Sequence, residues 1–399
     1  MTINRIHIAF LTFLVWLTYS PQLLKAQQYE FDFYGEQINL TIDSSFNKPF
    51  CDSLSNENIR RFYQELNHSK NTDLINSLLK YKEKYKLNDW VYYQLIRQTA
   101  QRIAPKTQNY NRYTLYKWYL MSKSGFDMRL GLRDNQIILY VKSEDDISDL
   151  PFFNLNNDNY VCLNYHDYRD IFNYKEEYKL VDIDIPEASG RFSYKVTQLP
   201  EFRLDSYSEK EIGFNYHGKA YHFNLKINPS VNEIFKNYPI VDFETYFNIP
   251  LSTQTYQSLV PKLKEYLAKM STQKGIDYLM QFTRYAFLYE DDRQVFGQEK
   301  RFSPEQTLIN DASDCDDRAG LFFYLVKEIY NLPMIALRYP THVTIAIQFE
   351  KPMGYSILYN GNYYTVCETT PQDRNLKIGQ LSLKHQHEKY EVVYNYQPY

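Results

Sequence analysis

The sequence predicts an α+β protein in which a helix carrying a cysteine at its start packs on an antiparallel sheet near the C-terminus. Three observations carry that expectation. Ala319, Phe322, Phe323, Val326 and Ile329 recur at intervals of three and four, the apolar stripe of a helix. Asn331-Leu332-Pro333 closes the helix, because the residue before a proline leaves the helical region. β-rich runs then follow: Met334 to Leu337, Val343-Thr344-Ile345-Ala346-Ile347, and Tyr363 to Glu368 after the two-residue hairpin turn Asn360-Gly361.

The preceding elements read in chain order. Arg5 followed by the apolar run Ile8 to Leu17 has the length of a secretory signal, too short to span a bilayer. Leu24-Lys25-Ala26 precedes Gln27, so residues 1–26 are expected to be removed and the protein to be secreted or periplasmic. No cysteine stands at that cleavage point, which argues against a lipoprotein. An uncleaved N-terminal anchor is the alternative. Residues 27–169 form a mixed α/β region. Asn56 to Leu87 is periodic and helical, Trp90 to Ile103 is a second helix stopped by Pro105, and Tyr113 to Lys123 a third stopped by Ser124-Gly125. Gln136 to Val141 and Tyr160 to Leu163 read as strands. Residues 170–250 form a β-rich block in which Arg191 to Val196, Ile212 to Tyr216 and Ala220 to Ile227 alternate, as in a small sandwich or linking sheet. Residues 251–399, opening with the helical stretch Pro250 to Leu267, hold the cysteine-bearing unit.

The N-terminal region repeats the order of the C-terminal one: helix, stop, strand, strand, strand. A single offset sets Asn109 against Cys315 and Gln136 against His342. It sets Cys162 against Glu368, or, after a one-residue slip, Cys162 against Cys367 and Leu163 against Glu368. The region reads as a degenerate copy without a triad. Chance recurrence of helix–strand–strand is the alternative.

Composition excludes several classes of function. A net charge of −3 over 399 residues gives no electrostatic case for nucleic acid. The 40 tyrosines and 25 phenylalanines belong to the core and to half-buried strands. There is no His-Glu-x-x-His, no Cys-x-x-Cys, no phosphate loop and no Gly-x-Ser-x-Gly. His385-Gln386-His387 reads as two imidazoles on one strand face with no third ligand, and no cofactor or metal is called for.

The residues that do carry chemistry are Cys315, His342 and Glu368. A thiol reacts as thiolate, and a helix N-terminus favours that anion. An imidazole on the next strands can take and return the proton, and a carboxylate can fix its tautomer. Ser313 or Asp314 suits the N-cap and Asp317 the first turn; the aspartates oppose a thiolate unless turned outward. The competing readings are a buried structural thiol and a Cys315–Cys367 disulfide.

Asp314-Cys315-Asp316-Asp317-Arg318-Ala319, a helix, Leu332-Pro333, Thr341-His342-Val343 and Glu368-Thr369-Thr370-Pro371 together resemble the transglutaminase-like cysteine enzymes. Tyr289-Glu290-Asp291-Asp292, Gly297, Pro304-Glu305 and Thr307-Leu308 resemble the lead-in of bacterial members. The resemblance covers about residues 251–380 and implies a papain/transglutaminase-like catalytic unit with Cys315 as nucleophile, His342 as base and Glu368 where the family has Asp. Ser313 also stands where the family has Gly. The function so implied is a secreted thiol acyl-transfer enzyme hydrolysing peptide or amide bonds of a protein or peptide substrate. The Cys315 N–H and Gln298 or Tyr289 are the oxyanion candidates. The alternative is a non-catalytic periplasmic binding or assembly protein on the same fold.

Overall fold

The structure, a computed structural model, describes residues 26–398 apart from 52, 174–175 and 291–299. The expected signal segment lies outside the described residues. No described helix is long and apolar enough to cross a membrane.

The fold is mixed α+β with curled antiparallel sheets. The chain opens with a hairpin, β1 (Gln27–Phe33) and β2 (Glu36–Ile42), whose inward residues Phe31, Phe33, Ile38 and Leu40 alternate with exposed ones. The helical stretch expected over Asn56 to Leu87 is two helices, α1 (Asn56–Asn67) and α2 (Thr72–Lys84). The break is chemical: the Asn71 side-chain amide donates to the Leu66 carbonyl at 2.8 Å, satisfying an end-of-helix acceptor. α3 (Asp89–Ile103) and α4 (Tyr110–Lys123) follow. α4 starts three residues before the expected Tyr113, because the Asn109 side chain accepts the Arg112 N–H at 2.9 Å and caps the helix there.

Two five-stranded antiparallel sheets organise the molecule. The first holds β3 (Met128–Arg133), β4 (Gln136–Lys142), β5 (Phe152–Leu155), β6 (Asp158–Cys162) and β7 (Lys179–Leu180), in the order β5-β6-β4-β3-β7. Between the sheets run the hairpin β8 (Ser208–Tyr216) and β9 (Lys219–Ile227), the short helices α5 (Ser230–Ile234) and α6 (Phe243–Phe247), α7 (Thr253–Leu267) and α8 (Thr272–Tyr285). Of the sandwich or linking sheet expected over residues 170–250, only this hairpin forms, β7 belonging to the first sheet. Arg191 to Val196 forms no strand; Phe192, Tyr194 and Val196 point into the core from irregular backbone. The alternation there was real, but it records burial on one side and no strand pairing. The hairpin turn at His217-Gly218 has positive φ at both residues, 48° and 79°, as a tight two-residue turn requires.

The second sheet follows β10 (Leu288–Tyr289), α9 (Pro304–Ile309), β11 (Ala312–Ser313) and α10 (Cys315–Tyr330). Its strands are β12 (Met334–Tyr339), β13 (His342–Ile347), β14 (Ser356–Tyr359) and β15 (Asn362–Cys367), then the short helix α11 (Leu383–His387), then β16 (Glu391–Tyr396). The order is β14-β15-β13-β12-β16. Matched strand by strand in chain order, this is the topology of the first sheet, each preceded by a helix that ends in a left-handed residue: Gly125 after α4 and Asn331 after α10. The registers correspond as well. Arg133 pairs with Gln136 as Tyr339 pairs with His342. The order expected of an internal repeat is present.

One apolar core runs from Phe31 to Tyr396 and takes up the helices and one face of each sheet. The opposite face of each sheet carries its own cluster: Ile138, Tyr140, Tyr160, Cys162 and Tyr168 on the first, and Ile335, Leu337, Tyr339, Ala346, Tyr364 and Val366 among those on the second. Behind the second sheet, Gly354 and Gly379 meet backbone to backbone at φ +55° and +76°, and a Cβ on either would lie 2.3 Å from a carbonyl oxygen of the opposing segment. This contact brings the segment after Glu368 back across the sheet, where Gly379 donates to the Val366 carbonyl and accepts from Tyr355.

Candidate active site

Asp314 is the N-cap of α10. One carboxylate oxygen accepts the Asp316 and Asp317 N–H groups at 3.0 and 3.2 Å, and Asp317 reaches back to the Asp314 N–H at 3.4 Å, a reciprocal capping box. Cys315 is thereby held as the first residue of the helix, among its unpaired N–H groups. The three aspartates are not turned outward, contrary to the condition set by the sequence reading; all are buried and each is engaged. Asp317 takes the Phe302 N–H at 2.7 Å and the Tyr246 hydroxyl at 3.1 Å. Asp316 faces the Arg301 guanidinium at 3.3 Å.

His342 opens β13, directly across a two-residue turn from Tyr339. Glu368 follows the last residue of β15. Both are buried, at 6% and 0% exposure, and His342 Nε2 lies 2.8 Å from Glu368 Oε2. The second carboxylate oxygen accepts the Thr370 N–H at 2.8 Å, so the carboxylate is fixed at both ends. With Nε2 taken, Nδ1 is the ring nitrogen left for chemistry. The added methylene of Glu is accommodated by backbone placement: the Arg284 guanidinium binds the Glu368 carbonyl together with Asn375 Oδ1 and the Leu376 carbonyl.

Cys315 is half-buried; it is unbridged, as are exposed Cys51 and buried Cys162 and Cys367. The expected bridge-free arrangement of Cys315 and Cys367 holds: Cys367 points into the main core, opposite to Val366. Among the described residues the sulfur donates to Asp316 Oδ1 at 3.4 Å, and no hydrogen bond joins it to His342. The Val343 N–H, one residue from His342, faces the sulfur and favours its anion. Burial, with Asp316 and Asp314, outweighs that and holds the thiol pKa well above its ordinary value. For His342, burial works against the imidazolium, but Glu368 and then Asp316 raise its pKa above the ordinary value. Burial also opposes the Glu368 anion, and the imidazole with the Thr370 N–H lowers its pKa below the usual carboxylate range.

Sequence reasoning missed two participants. His385 lies on a short helix, not on the expected strand, because Ser382 caps it and accepts the His385 N–H. Its ring stacks on His342 with centroids 4.5 Å apart and planes 3° from parallel. Its Nδ1 is 3.0 Å from Ser382 Oγ, and burial and His342 lower its pKa. The ligand atoms of His342, Glu368 and His385 fall within 4.8 Å of one another. They do not suit a metal: the carboxylate is already committed, and stacked rings aim their lone pairs side by side instead of at one point. The second is Arg318, fully buried, which donates to the carbonyls of Arg284 and Leu288 at 2.6 and 2.8 Å, collecting acceptors at the end of α8.

Of the oxyanion candidates, Gln298 lies outside the described residues. Tyr289 is half exposed and pairs in register with Ser313, two residues before Cys315.

At the matching place in the first sheet, the capped helix start sets Tyr110, not Asn109, opposite Cys315. Gln136 stands opposite His342 as expected. The pairing of Leu139 with Leu163, against Ile345 with Cys367, sets Asn164 opposite Glu368, where Leu163 or Cys162 was expected; Cys162 is within one residue of Cys367. The correction comes from the N-cap and the strand register, which spacing alone does not fix. Asn164 Nδ2 donates to the Tyr110 hydroxyl at 2.8 Å, and that hydroxyl donates to Asp167 at 2.9 Å. No family model matches this chain, and neither does any curated protein or solved structure among those searched.

Proposed function

We propose that the protein is a thiol-dependent acyl-transfer enzyme, a transglutaminase-like cysteine peptidase or amide acyltransferase whose main outcome is hydrolysis. The observation that carries this reading is the buried His342–Glu368 couple beside a cysteine at a helix start, on strands that follow that helix. A carboxylate on Nε2 fixes the tautomer and leaves Nδ1 for the thiol. In the resting arrangement the thiol is protonated and turned to Asp316. Rotation about the Cys315 Cα–Cβ bond takes the sulfur off the carboxylate, and His342 accepts the proton as the sulfur attacks an amide carbonyl. The Cys315 N–H and the Tyr289 hydroxyl receive the oxyanion. His342 then protonates the leaving amine, and water resolves the thioester with the roles reversed. The substrate is a protein or peptide, and the site of action is outside the cytoplasm, with a mature N-terminus near Gln27; N-terminal sequencing of native protein that reads from Met1 would exclude export.

The test is trapping of the acyl-enzyme with a library of peptide amides, followed by intact-mass measurement. An adduct on Cys315 is expected, absent in Cys315→Ala, with turnover lowered about 10²–10⁴-fold in His342→Ala. The second reading, a non-catalytic binding protein on this fold, is favoured by the thiol–Asp316 hydrogen bond. It takes over if no adduct forms while the fold is intact.

A further inference from the structure

Two clefts lie next to each other along residues 163–169, just after β6 of the first sheet. One, of about 460 Å³, is lined by Leu163, Tyr165, His166, Arg169, Lys236 and Arg301 among others. The other, of about 780 Å³, is lined by α3 through Gln94, Arg97 and Arg102, by Lys106, and again by His166 and Lys236. The shared wall, which also includes Asn237, makes them one track. Each is of the size that holds a small ligand or a few residues of chain. One wall residue, Arg301, touches the candidate active site by pairing with Asp316, the neighbour of Cys315.

The track is strongly cationic in a chain whose net charge is −3. Its walls hold Arg97, Arg102, Lys106, Arg169, Lys236, Lys300 and Arg301 against the carboxylates Asp149 and Glu233. Asp149 is exposed in the wall and accepts the Ile240 N–H at 2.8 Å. Lys106 is paired with Asp167. Among the described residues, however, Arg97, Arg102 and Arg169 form no close ion pair, with Asp167 acting on Arg97 and Asp149 on Arg169 at longer range. Lys236 meets Glu233 only at 3.8 Å with both side chains two-thirds exposed. Arg97 is instead braced by Gln94 Oε1 at 2.9 Å, and Arg102 lies over the Phe31 ring at 5.3 Å. The Gln94 amide nitrogen, in the wall and buried, has no hydrogen-bond partner. Such an excess of cations along a concave surface, two of them held on fixed supports, presents a focused positive field.

We infer that this track binds an acidic peptide segment, the part of the substrate that lies beyond the bond presented to Cys315. The cations supply the carboxylate partners, and the side-chain amides of Gln94, Gln98, Gln101 and Asn237 match a peptide backbone. A glycan is less well served, because the Trp90 and Tyr194 rings in the wall are 2% and 0% exposed and only the half-buried Tyr34, Tyr165 and Tyr238 remain to stack on a sugar. The naming of the ligand as a substrate rests on the acyl-transfer reading; the binding itself does not. On this inference the first sheet's unit, with Tyr110, Gln136 and Asn164 where a triad would stand, works as a binding subsite for the second.

The experiment uses full-length Cys315→Ala protein and a fluorescein-labelled peptide containing six consecutive glutamates, read by fluorescence anisotropy. Because this protein cannot turn over, a failure of catalysis and a failure of binding are read separately. The glutamate peptide is expected to bind at least tenfold more tightly than its glutamine counterpart, and to weaken at least tenfold between 50 and 300 mM salt. Adding Arg102→Gln, Arg169→Gln and Lys236→Gln, three exposed positions, should weaken it at least tenfold with an unchanged melting temperature. Equal binding of the glutamine peptide, or no loss in the triple variant, overturns the inference. So does a sulfated oligosaccharide that binds the track more tightly than the peptide.

Discussion

Replacing Asp316 by asparagine should make Cys315 more reactive, although Asp316 sits beside the nucleophile. The carboxylate oxygen is 3.4 Å from the sulfur and accepts its proton, so it stabilises the thiol over the thiolate. A full pair of like charges at this range costs about 1 kcal/mol in water and about 4 kcal/mol at the effective dielectric of a protein surface. Arg301, at 3.3 Å, already neutralises part of the charge, which leaves roughly 2 kcal/mol between those limits. Removing that amount raises the thiolate population about thirtyfold, since 1.36 kcal/mol is tenfold. A more acidic thiol is a weaker nucleophile, with a Brønsted slope of about 0.4–0.5, so the net gain in alkylation is roughly fivefold. The assay is the rate of iodoacetamide labelling at pH 7, mapped by peptide mass, on wild type and Asp316→Asn with matched thermal melts. An unchanged or slower rate at Cys315 would refute the electrostatic argument.

The remaining predictions concern the couple, the thiols and the backbone. The folded pKa of His342 lies above its unfolded value near ~6.5, so its stabilising share is complete below that pH and is lost as pH rises through the folded value. That of Glu368 lies below ~4.3, so its share is present above that pH and is lost as pH falls through the folded value. Denaturant titrations of wild type and Glu368→Gln should therefore differ most between about pH 4.3 and 6.5 and converge at alkaline pH; a gap independent of pH would show that the couple is not ionic. The acid limb of kcat/KM should move to lower pH in Glu368→Gln, because the carboxylate that raises the His342 pKa is gone. Peptide mapping without reductant should find all four cysteines free, and a Cys315–Cys367 linkage would contradict the strand assignment. Gly379→Ala should cost roughly 2–4 kcal/mol from left-handed strain and the backbone clash, whereas Gly218→Ala, at positive φ with nothing within 4 Å, should cost only about 1 kcal/mol. Equal costs in a denaturant melt would mean that the Gly354–Gly379 contact is not tight.

The second sheet and its helix were legible because each signal was local. The stripe from Ala319 to Ile329, the Leu332-Pro333 stop and the Asn360-Gly361 turn each impose their element whatever the rest of the chain does. The His342–Glu368 contact was legible as a pair of residue types at the ends of neighbouring strands. Phe192, Tyr194 and Val196 misled because alternation reports one buried side, and an irregular segment lying on a core shows it too. The partner of Glu368 in the first sheet was misplaced because register depends on which residue caps the helix and where the strands engage. His385 was unreadable, since a ring stacked on another 43 positions away, by number, leaves no periodic trace.

The two buried arginines set the smallest piece of this chain that can stand alone. Arg318, from the cysteine helix, holds the carbonyls that end α8, and Arg284, from α8, holds the backbone that presents Glu368. Most acceptors of each guanidinium lie on the other segment, and a fragment that starts at α9 would leave Arg318 with only the Ser313 carbonyl, at a cost of several kcal/mol. An excised unit must begin upstream of Ser271, which caps α8. A shorter fragment would retain Cys315, His342 and Glu368 in its sequence and lose the framework that aligns them.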